Sequence, residues 1–127
     1  MLLVDDVEDI RLLLRLCLSG PDFEIVAEAG DGHEAVALAR SHRPDLIVLD
    51  VVMPRMDGLQ AIPLLHEAAP GTKIVVLSGF EDATLAKRAV GLCASVYLRK
   101  GTPPSHVVRT LRGVHAAPAK CPPSTSR

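Results

Sequence analysis

The amino-acid sequence predicts an α/β fold in which helices cover both faces of a parallel five-stranded sheet. Short apolar runs alternate along the chain with segments whose apolar residues recur every three or four positions, the spacing of amphipathic helices. Two of the runs, "LIVL" (46–49) and "IVVL" (74–77), contain no polar residue. Such continuous runs are typical of strands buried on both faces, and their alternation with helices favours parallel crossover connections.

The first half of the chain contains two strands and two helices. Their expected bounds are 2–4 for strand β1, 8–19 for helix α1, 23–29 for strand β2 and 32–42 for helix α2. Helix α1 follows from an apolar stripe at helical spacing, formed by Ile10, Leu13, Leu14 and Cys17. Helix α2 follows from a capping pattern, with Asp31 at the N-cap and Glu34 three residues later. Pro44 favours an end of this helix near residue 42.

The second half contains three strands and three helices. Their expected bounds are 45–49 for β3, 58–68 for α3, 73–78 for β4, 82–92 for α4, 95–99 for β5 and 103 to at least 114 for α5. Pro63 inside α3 is expected to kink the helix or to shorten its regular part. Helix α5 is expected to have Thr102 as its cap and Pro103 at its first position. Its apolar face contains Val107, Val108, Leu111 and Val114.

The length of 127 residues fits a single domain with a hydrophobic core of its own. We expect this domain to span residues 1–115. The segment from His115 onward, "HAAPAKCPPSTSR", is rich in Pro, Ala and Ser. This composition is typical of disordered chain, so residues 116–127 are expected to form a disordered tail or a truncated linker.

The composition indicates a cytoplasmic protein that acts neither in a membrane nor directly on DNA. The net charge is −1, and the sequence contains no basic helix or helix-turn-helix pattern that could read DNA. No apolar run approaches the about 20 residues of a membrane span, and the start "MLLVDD" lacks the basic region of a secretion signal. Cys17, Cys93 and Cys121 are far apart in the chain, which fits a reducing compartment.

Polar residues follow four of the five predicted strands. Asp5 and Asp6 follow β1, Asp50 follows β3, Ser78 ends β4, and Lys100 follows β5. Because the carboxyl ends of parallel strands meet at one edge of the sheet, we expect these side chains to converge there. Two carboxylates about 4 Å apart repel by on the order of 4 kcal/mol at an effective dielectric near 20. A divalent cation with oxygen ligands, above all Mg²⁺, would offset this repulsion.

At this point the sequence resembles the receiver domain of two-component response regulators, over roughly residues 1–115. The matching residues are Asp5-Asp6, Asp50 followed by Met53-Pro54 and Asp57-Gly58, Ser78, and Tyr97 with Lys100. The resemblance implies a flavodoxin-like (βα)5 sandwich with strand order 2-1-3-4-5, the order of the chemotaxis member of this family. The segment "KGTPPSHVVRTLRG" (100–113) is similar to receivers that precede helix-turn-helix output domains.

The resemblance implies that Asp50 accepts a phosphoryl group from a sensor histidine kinase, giving an acyl phosphate. It further implies that Asp6 and Asp50 bind Mg²⁺ directly and that Asp5 reaches the ion either directly or through water. The backbone carbonyl of Val52 would complete the protein ligands. Such a protein is not an enzyme in the usual sense, because it catalyses only its own Mg²⁺-dependent phosphorylation and dephosphorylation.

The remaining motif residues imply a switch. Lys100 would neutralise charge on the phosphoryl oxygens, and the Ser78 hydroxyl would hydrogen-bond one of them. Ser78 then moves toward Asp50, and Tyr97 swings inward into the space released. The face formed by α4, β5 and α5 would thereby change and engage an output domain or partner protein, or a second copy of the chain in a phosphorylation-dependent homodimer.

Three other functions are compatible with parts of the pattern. A haloacid-dehalogenase-type phosphatase needs a second Asp two residues after its nucleophile, where this chain has Val52. A flavodoxin needs a first loop that binds phosphate, whereas the loop "DDVED" (5–9) has four acids that would repel it. A receiver-fold docking module that works without phosphorylation stays open as the alternative.

Overall fold

Five short runs of the chain form the strands of one parallel sheet, in a computed structural model that describes residues 1–18, 23–50, 58–78, 87–88, 91, 96–99 and 103–116. The strands are β1 (Leu2–Val4), β2 (Ala27–Ala29), β3 (Leu46–Asp50), β4 (Lys73–Ser78) and β5 (Val96–Arg99). Their order in the sheet is β2-β1-β3-β4-β5, and all four neighbouring pairs are parallel. The predicted fold class and strand order are therefore confirmed.

Four helices connect or follow the strands within the described residues. They are α1 (Glu8–Leu18), α2 (Gly32–His42), α3 (Gly58–Ala68) and α5 (Pro104–Ala116). The predicted helix α4 (82–92) lies outside the described residues, except for helical positions at 87–88 and 91. The predicted tail lies outside them from residue 117 onward.

Among the helices that the structure describes, none combines the length and the apolar character needed to cross a membrane.

The alternation of side chains along each strand produces two hydrophobic layers, one on each face of the sheet. The first layer joins one set of strand residues to α2 and α3: Leu2, Val4, Ile47, Leu49, Ile74 and Val76. The second layer joins the intervening residues to α1 and α5: Leu3, Leu46, Val48, Val75 and Leu77. Both faces of the central strands are thus buried, which is the reason for the continuous apolar runs in the sequence.

Strand β2 is shorter than predicted. The apolar segment 23–29 was expected to be a strand throughout, yet only Ala27–Ala29 has that conformation, with an isolated bridge at Phe23. The neighbouring strand β1 has three residues, and these pair with the three residues of β2. Val26 adds one hydrogen bond, from its N–H to the carbonyl oxygen of Met1 at 2.9 Å. The length of the partner strand, not the apolar pattern, limits β2.

Helix α1 is rotated relative to the expected stripe. Leu14 and Leu18 are buried against the sheet and Ile10 packs beside them, but Leu13 is 52% exposed. Leu12 and Leu16 are also exposed. The segment "LLLRLCL" has more leucines around the helix than one side can bury, so packing against the sheet and α5 decides which of them are covered.

Pro63 does not shorten helix α3, contrary to one of the two expectations. The helix keeps its eleven residues, Gly58–Ala68, and the proline lies on its exposed side. A proline at this position removes one backbone hydrogen bond of the helix. Ile62 and Leu65 are fully buried on the opposite side, and this packing offsets the missing bond.

Helix α5 begins one residue later than predicted. Pro104, not Pro103, is its first residue. The carbonyl oxygen of Pro103 accepts hydrogen bonds from the N–H groups of His106 (3.0 Å) and Val107 (3.1 Å). Pro103 therefore occupies the N-cap position, and Pro104 takes the first helical position, where a missing N–H costs nothing. The predicted cap residue Thr102 lies outside the described residues.

Helix α2 has the capping pattern that the sequence predicts. The carboxylate of Asp31 accepts a hydrogen bond from the N–H of Glu34 at 2.9 Å. The Glu34 carboxylate accepts one from the N–H of Gly30 at 2.7 Å. At the other end, Arg43 has the left-handed conformation (φ 46°) and closes the helix before Pro44.

Replacing Asp31 with alanine is expected to lower the free energy of unfolding by about 1 kcal/mol, because the N–H of Glu34 loses its acceptor. Urea denaturation followed by circular dichroism measures this loss. Asp31→Asn is the matched control, since asparagine keeps an acceptor oxygen at the N-cap and is expected to retain most of the stability. Equal stability of the alanine and asparagine variants would contradict the capping role.

Candidate functional site

The register of the sheet brings Asp5 beside Asp50. Strands β1 and β3 are neighbours, and Val4 lies opposite Leu49. The next residue on each strand is an aspartate, so the two carboxylates leave the sheet at the same edge. Asp6 follows Asp5 in the chain, and carboxylate oxygens of the three aspartates all lie within 4.8 Å of one another. The predicted convergence of these acids is confirmed.

The three carboxylates differ in exposure. Asp5 and Asp50 are each 2% exposed, whereas Asp6 is open to solvent. Since water screens buried charges poorly, the repulsion between Asp5 and Asp50 is stronger than it would be on the surface. The cluster therefore favours binding of a cation, with one side accessible through Asp6.

The position of Asp5 is determined by hydrogen bonds on three sides. Its N–H donates to the carbonyl oxygen of Ala29 at 3.1 Å, which extends the β1–β2 ladder by one step. Its carboxylate oxygen Oδ1 accepts a hydrogen bond from the N–H of Val7 at 2.9 Å. Its carbonyl oxygen accepts one from the guanidinium of Arg11 at 2.5 Å. The carboxylate is thus oriented by the protein itself.

The donor set fits Mg²⁺. All three groups are carboxylates, and hard oxygen ligands are the ones that Mg²⁺ prefers. Within the described part of the chain, no sulfur or imidazole ligand, of the kind that softer metals favour, belongs to this cluster. Asp5, Asp6 and Asp50 would supply the side-chain ligands, and the fourth predicted ligand, the carbonyl of Val52, lies outside the described residues.

The other predicted site residues are described to different extents. Ser78 is the last residue of β4, one position beyond Leu77, which lies opposite Asp50. The backbone of Ser78 is thus at the same edge as the acids, while its side chain is outside the described part. Lys100 is likewise outside it, although the last residue of β5, Arg99, lies opposite Ser78.

Tyr97, the predicted switch residue, lies on β5 opposite Val76. Its side chain is half-buried and packs against the hydrophobic layer that contains α2 and α3. The ring therefore lies on the same face of the sheet as α2 and α3.

Two ion pairs near the site were not expected from the sequence. Arg11 of α1 pairs with Glu28 of β2, with 3.3 Å between Nε and Oε1. Arg15 pairs with the other oxygen of Glu28 at 2.6 Å. These partners are 17 and 13 residues apart in the chain, so no local pattern reveals them. Only the packing of α1 beside β2 brings them together.

Comparison with known protein families gives a match to one family model, described as the response regulator receiver domain, over residues 1–112. The chemotaxis protein CheY of Thermotoga maritima is 32% identical over 114 residues, which cover 90% of this chain and 95% of that protein. The transcriptional regulatory protein PdtaR of Mycobacterium tuberculosis is 44% identical over 102 residues, covering 79% of this chain and 48% of that protein. The uncharacterized transcriptional regulatory protein YxjL of Bacillus subtilis is 36% identical over 111 residues, covering 87% of this chain and 51% of that protein.

The chain thus spans about half the length of PdtaR and YxjL. Among solved structures, the signal receiver domain of the response regulator NarL from Mycobacterium tuberculosis is similar, with a TM-score of 0.84 and 26% identity. This match covers 90% of the present chain and 93% of the other. The CheX-CheY complex with BeF3 and Mg from Borrelia burgdorferi matches with a TM-score of 0.85 and 26% identity, covering 91% of this chain and 88% of that one.

Proposed function

This chain belongs to the response regulator receiver domain family, and from that premise we propose that Asp50 accepts a phosphoryl group from a histidine kinase in the presence of Mg²⁺. The observation that carries the proposal is the cluster of three carboxylates, with oxygens within 4.8 Å of one another, at the carboxyl edge of the sheet. Asp50 is the acceptor because it ends the central strand β3, between β1 with its acidic pair and β4 with Ser78.

The proposed reaction is a transfer between two nucleophiles. A carboxylate oxygen of Asp50 attacks the phosphorus, and the bond between phosphorus and the imidazole nitrogen of the donor histidine breaks. The electron pair of that bond leaves with the imidazole, and Asp50 becomes an acyl phosphate. Bound Mg²⁺ supplies positive charge that offsets the charge of the carboxylates and of the phosphoryl oxygens.

Each of the other site residues has its own role in the proposed reaction. Asp5 and Asp6 would hold the cation, together with Asp50 and the backbone carbonyl of Val52. Burial of Asp50, which is 2% exposed, restricts the access of water to the nucleophile before transfer. In the same proposal, Lys100 pairs with the phosphoryl oxygens and the Ser78 hydroxyl donates a hydrogen bond to one of them.

The proposed consequence of phosphorylation is a change in the face formed by α4, β5 and α5. Movement of Ser78 toward the phosphoryl group would leave room for Tyr97 to turn inward. Tyr97 is half-buried and packs on the same hydrophobic layer as Leu49, the neighbour of Asp50. We propose that this face, in a cytoplasmic protein, engages an output domain, a partner protein or a second copy of the chain. The boundary at residue 115, with a disordered segment after it, stays a prediction.

Incubation with acetyl phosphate tests the proposal, because this small phosphoryl donor replaces the kinase. We expect intact-mass spectrometry to detect one added phosphoryl group with Mg²⁺ and none when the metal is removed by a chelator. Borohydride then reduces the acyl phosphate to an alcohol, and peptide mass mapping is expected to locate that change at residue 50.

A mass change from borohydride reduction at a residue other than Asp50 would overturn the assignment of Asp50 as the acceptor. No added mass, together with no binding of beryllofluoride in the presence of Mg²⁺, would instead support a docking module that works without phosphorylation. An adduct too short-lived to detect is distinguished from this case by beryllofluoride, which would still bind.

A further inference from the structure

Arg11 of helix α1 connects the acidic cluster to Glu28 of strand β2. One guanidinium nitrogen donates to the carbonyl oxygen of Asp5 at 2.5 Å. The Nε donates to Oε1 of Glu28 at 3.3 Å. The side chain of Arg11 is 17% exposed and that of Glu28 22%, so both contacts are partly shielded from water and retain more of their strength than surface ion pairs.

Arg11 contacts the backbone of Asp5 and not its carboxylate, so the hydrogen bond fixes the orientation of the peptide that joins Asp5 to Asp6. The N–H of Asp5 is tied to Ala29 and its Oδ1 to Val7. The carbonyl oxygen is the remaining backbone group of the residue, and Arg11 occupies it. Rotation of the peptide after Asp5 would move its carboxylate and that of Asp6, and the hydrogen bond from Arg11 opposes this rotation.

We propose that Arg11 is a positioning residue of the metal site. Its guanidinium holds the carbonyl of Asp5, and thereby the two acidic side chains of the β1 edge, in the arrangement that binds Mg²⁺. Glu28 orients the guanidinium from the other side. The role depends on the proposed function insofar as the acidic cluster must bind Mg²⁺, and it adds a residue that touches neither the metal nor the phosphoryl group.

If only charge mattered, loss of Arg11 would strengthen Mg²⁺ binding, whereas loss of a positioning residue would weaken it. The direction of the change therefore tests the proposal. Arg11 is a cation near a cation site, so its charge by itself weakens Mg²⁺ binding. Glu28 offsets part of that charge through its pairs with Arg11 and Arg15. Removal of Arg11 therefore strengthens Mg²⁺ binding if only charge matters, and weakens it if position matters.

The test is the dissociation constant of Mg²⁺, measured by isothermal titration calorimetry on the full chain. Arg11→Gln is expected to bind Mg²⁺ about tenfold more weakly than the wild type, the usual size of the effect when the support of a metal ligand is lost. The matched control is Arg15→Gln, which removes the same charge and also pairs with Glu28. Arg15 is 49% exposed, and its hydrogen bond among the described residues goes to Glu28, not to Asp5. We expect the control to bind like the wild type.

Thermal unfolding of the metal-free variants separates positioning from a merely structural role. A structural role would lower the unfolding midpoint of Arg11→Gln and leave the dissociation constant of the folded protein unchanged. That result, or tighter Mg²⁺ binding by Arg11→Gln, overturns the proposal. If the glutamine variant does not fold, Arg11→Lys replaces it. Lysine keeps the charge but lacks the planar guanidinium that donates to Asp5 and Glu28 at the same time. If Arg11→Lys binds Mg²⁺ as tightly as the wild type, the proposal is overturned.

The calorimetric result also separates this inference from the function on which it depends. A wild-type chain that binds no Mg²⁺ contradicts the proposed function, and the role of Arg11 with it. If the wild type binds Mg²⁺ and Arg11→Gln binds it equally tightly, only the positioning role of Arg11 is contradicted.

Discussion

Replacing Asp50 with asparagine is expected to abolish phosphorylation by acetyl phosphate. The amide has nearly the shape of the carboxylate, so the packing at the end of β3 is retained. It has no negative charge, however, and its nitrogen and oxygen are poor nucleophiles toward phosphorus. Intact-mass spectrometry after incubation with acetyl phosphate and Mg²⁺ should detect the added phosphoryl group in the wild type and none in Asp50→Asn.

The control for this variant is Asp45→Asn, at the opposite end of β3. Asp45 precedes β3 and is exposed, and its carbonyl oxygen accepts a hydrogen bond from the N–H of Lys73 at 2.9 Å. The substitution leaves this backbone contact in place, so phosphorylation is expected at the wild-type level. A phosphoryl group that persists in Asp50→Asn would mean that another residue is the acceptor.

Replacing Leu65 with alanine is expected to lower the free energy of unfolding by about 2–5 kcal/mol. Leu65 is fully buried in the layer between α3 and the sheet. Its truncation removes apolar contacts and leaves a cavity that close-packed neighbours fill only in part. Since domains of this size are stable by only about 5–15 kcal/mol, the loss would be a large fraction of the total. Urea denaturation measures it directly.

Leu64 is the matched control, because it precedes Leu65 in the same helix and is 38% exposed. Leu64→Ala changes the same atoms and the same helix propensity, but more of the deleted side chain already contacts water. We expect a loss of roughly 1 kcal/mol or less. Similar losses in the two variants would show that the burial of α3 does not contribute to stability as the packing implies.

Several features of the molecule follow from local sequence patterns. The run "LIVL" is a strand buried on both faces, and Asp50 follows it where the strand leaves the core. The capping residues of α2 form the predicted hydrogen bond. The convergence of Asp5, Asp6 and Asp50 followed from one rule, that the carboxyl ends of parallel strands meet at one edge. The strand order itself was predicted through the family resemblance, not from the residues alone.

Other features depended on partners far away in the chain. Strand β2 extends only as far as β1 can pair with it, although the apolar segment is longer. The buried side of α1 depends on where the sheet and α5 lie, because leucines occur on several sides of that helix. The contacts of Arg11 with Asp5 and Glu28 likewise require α1 to pack beside β2.

Local patterns along the chain were thus sufficient to predict the class of fold, the positions of most elements and the identity of the acidic residues, because periodicity and strand ends are local properties. The tertiary structure alone decided the length of β2, the orientation of α1 and the support of Asp5 by Arg11. These depend on pairing and packing between residues that are distant in sequence, and such contacts exist only once the sheet has assembled.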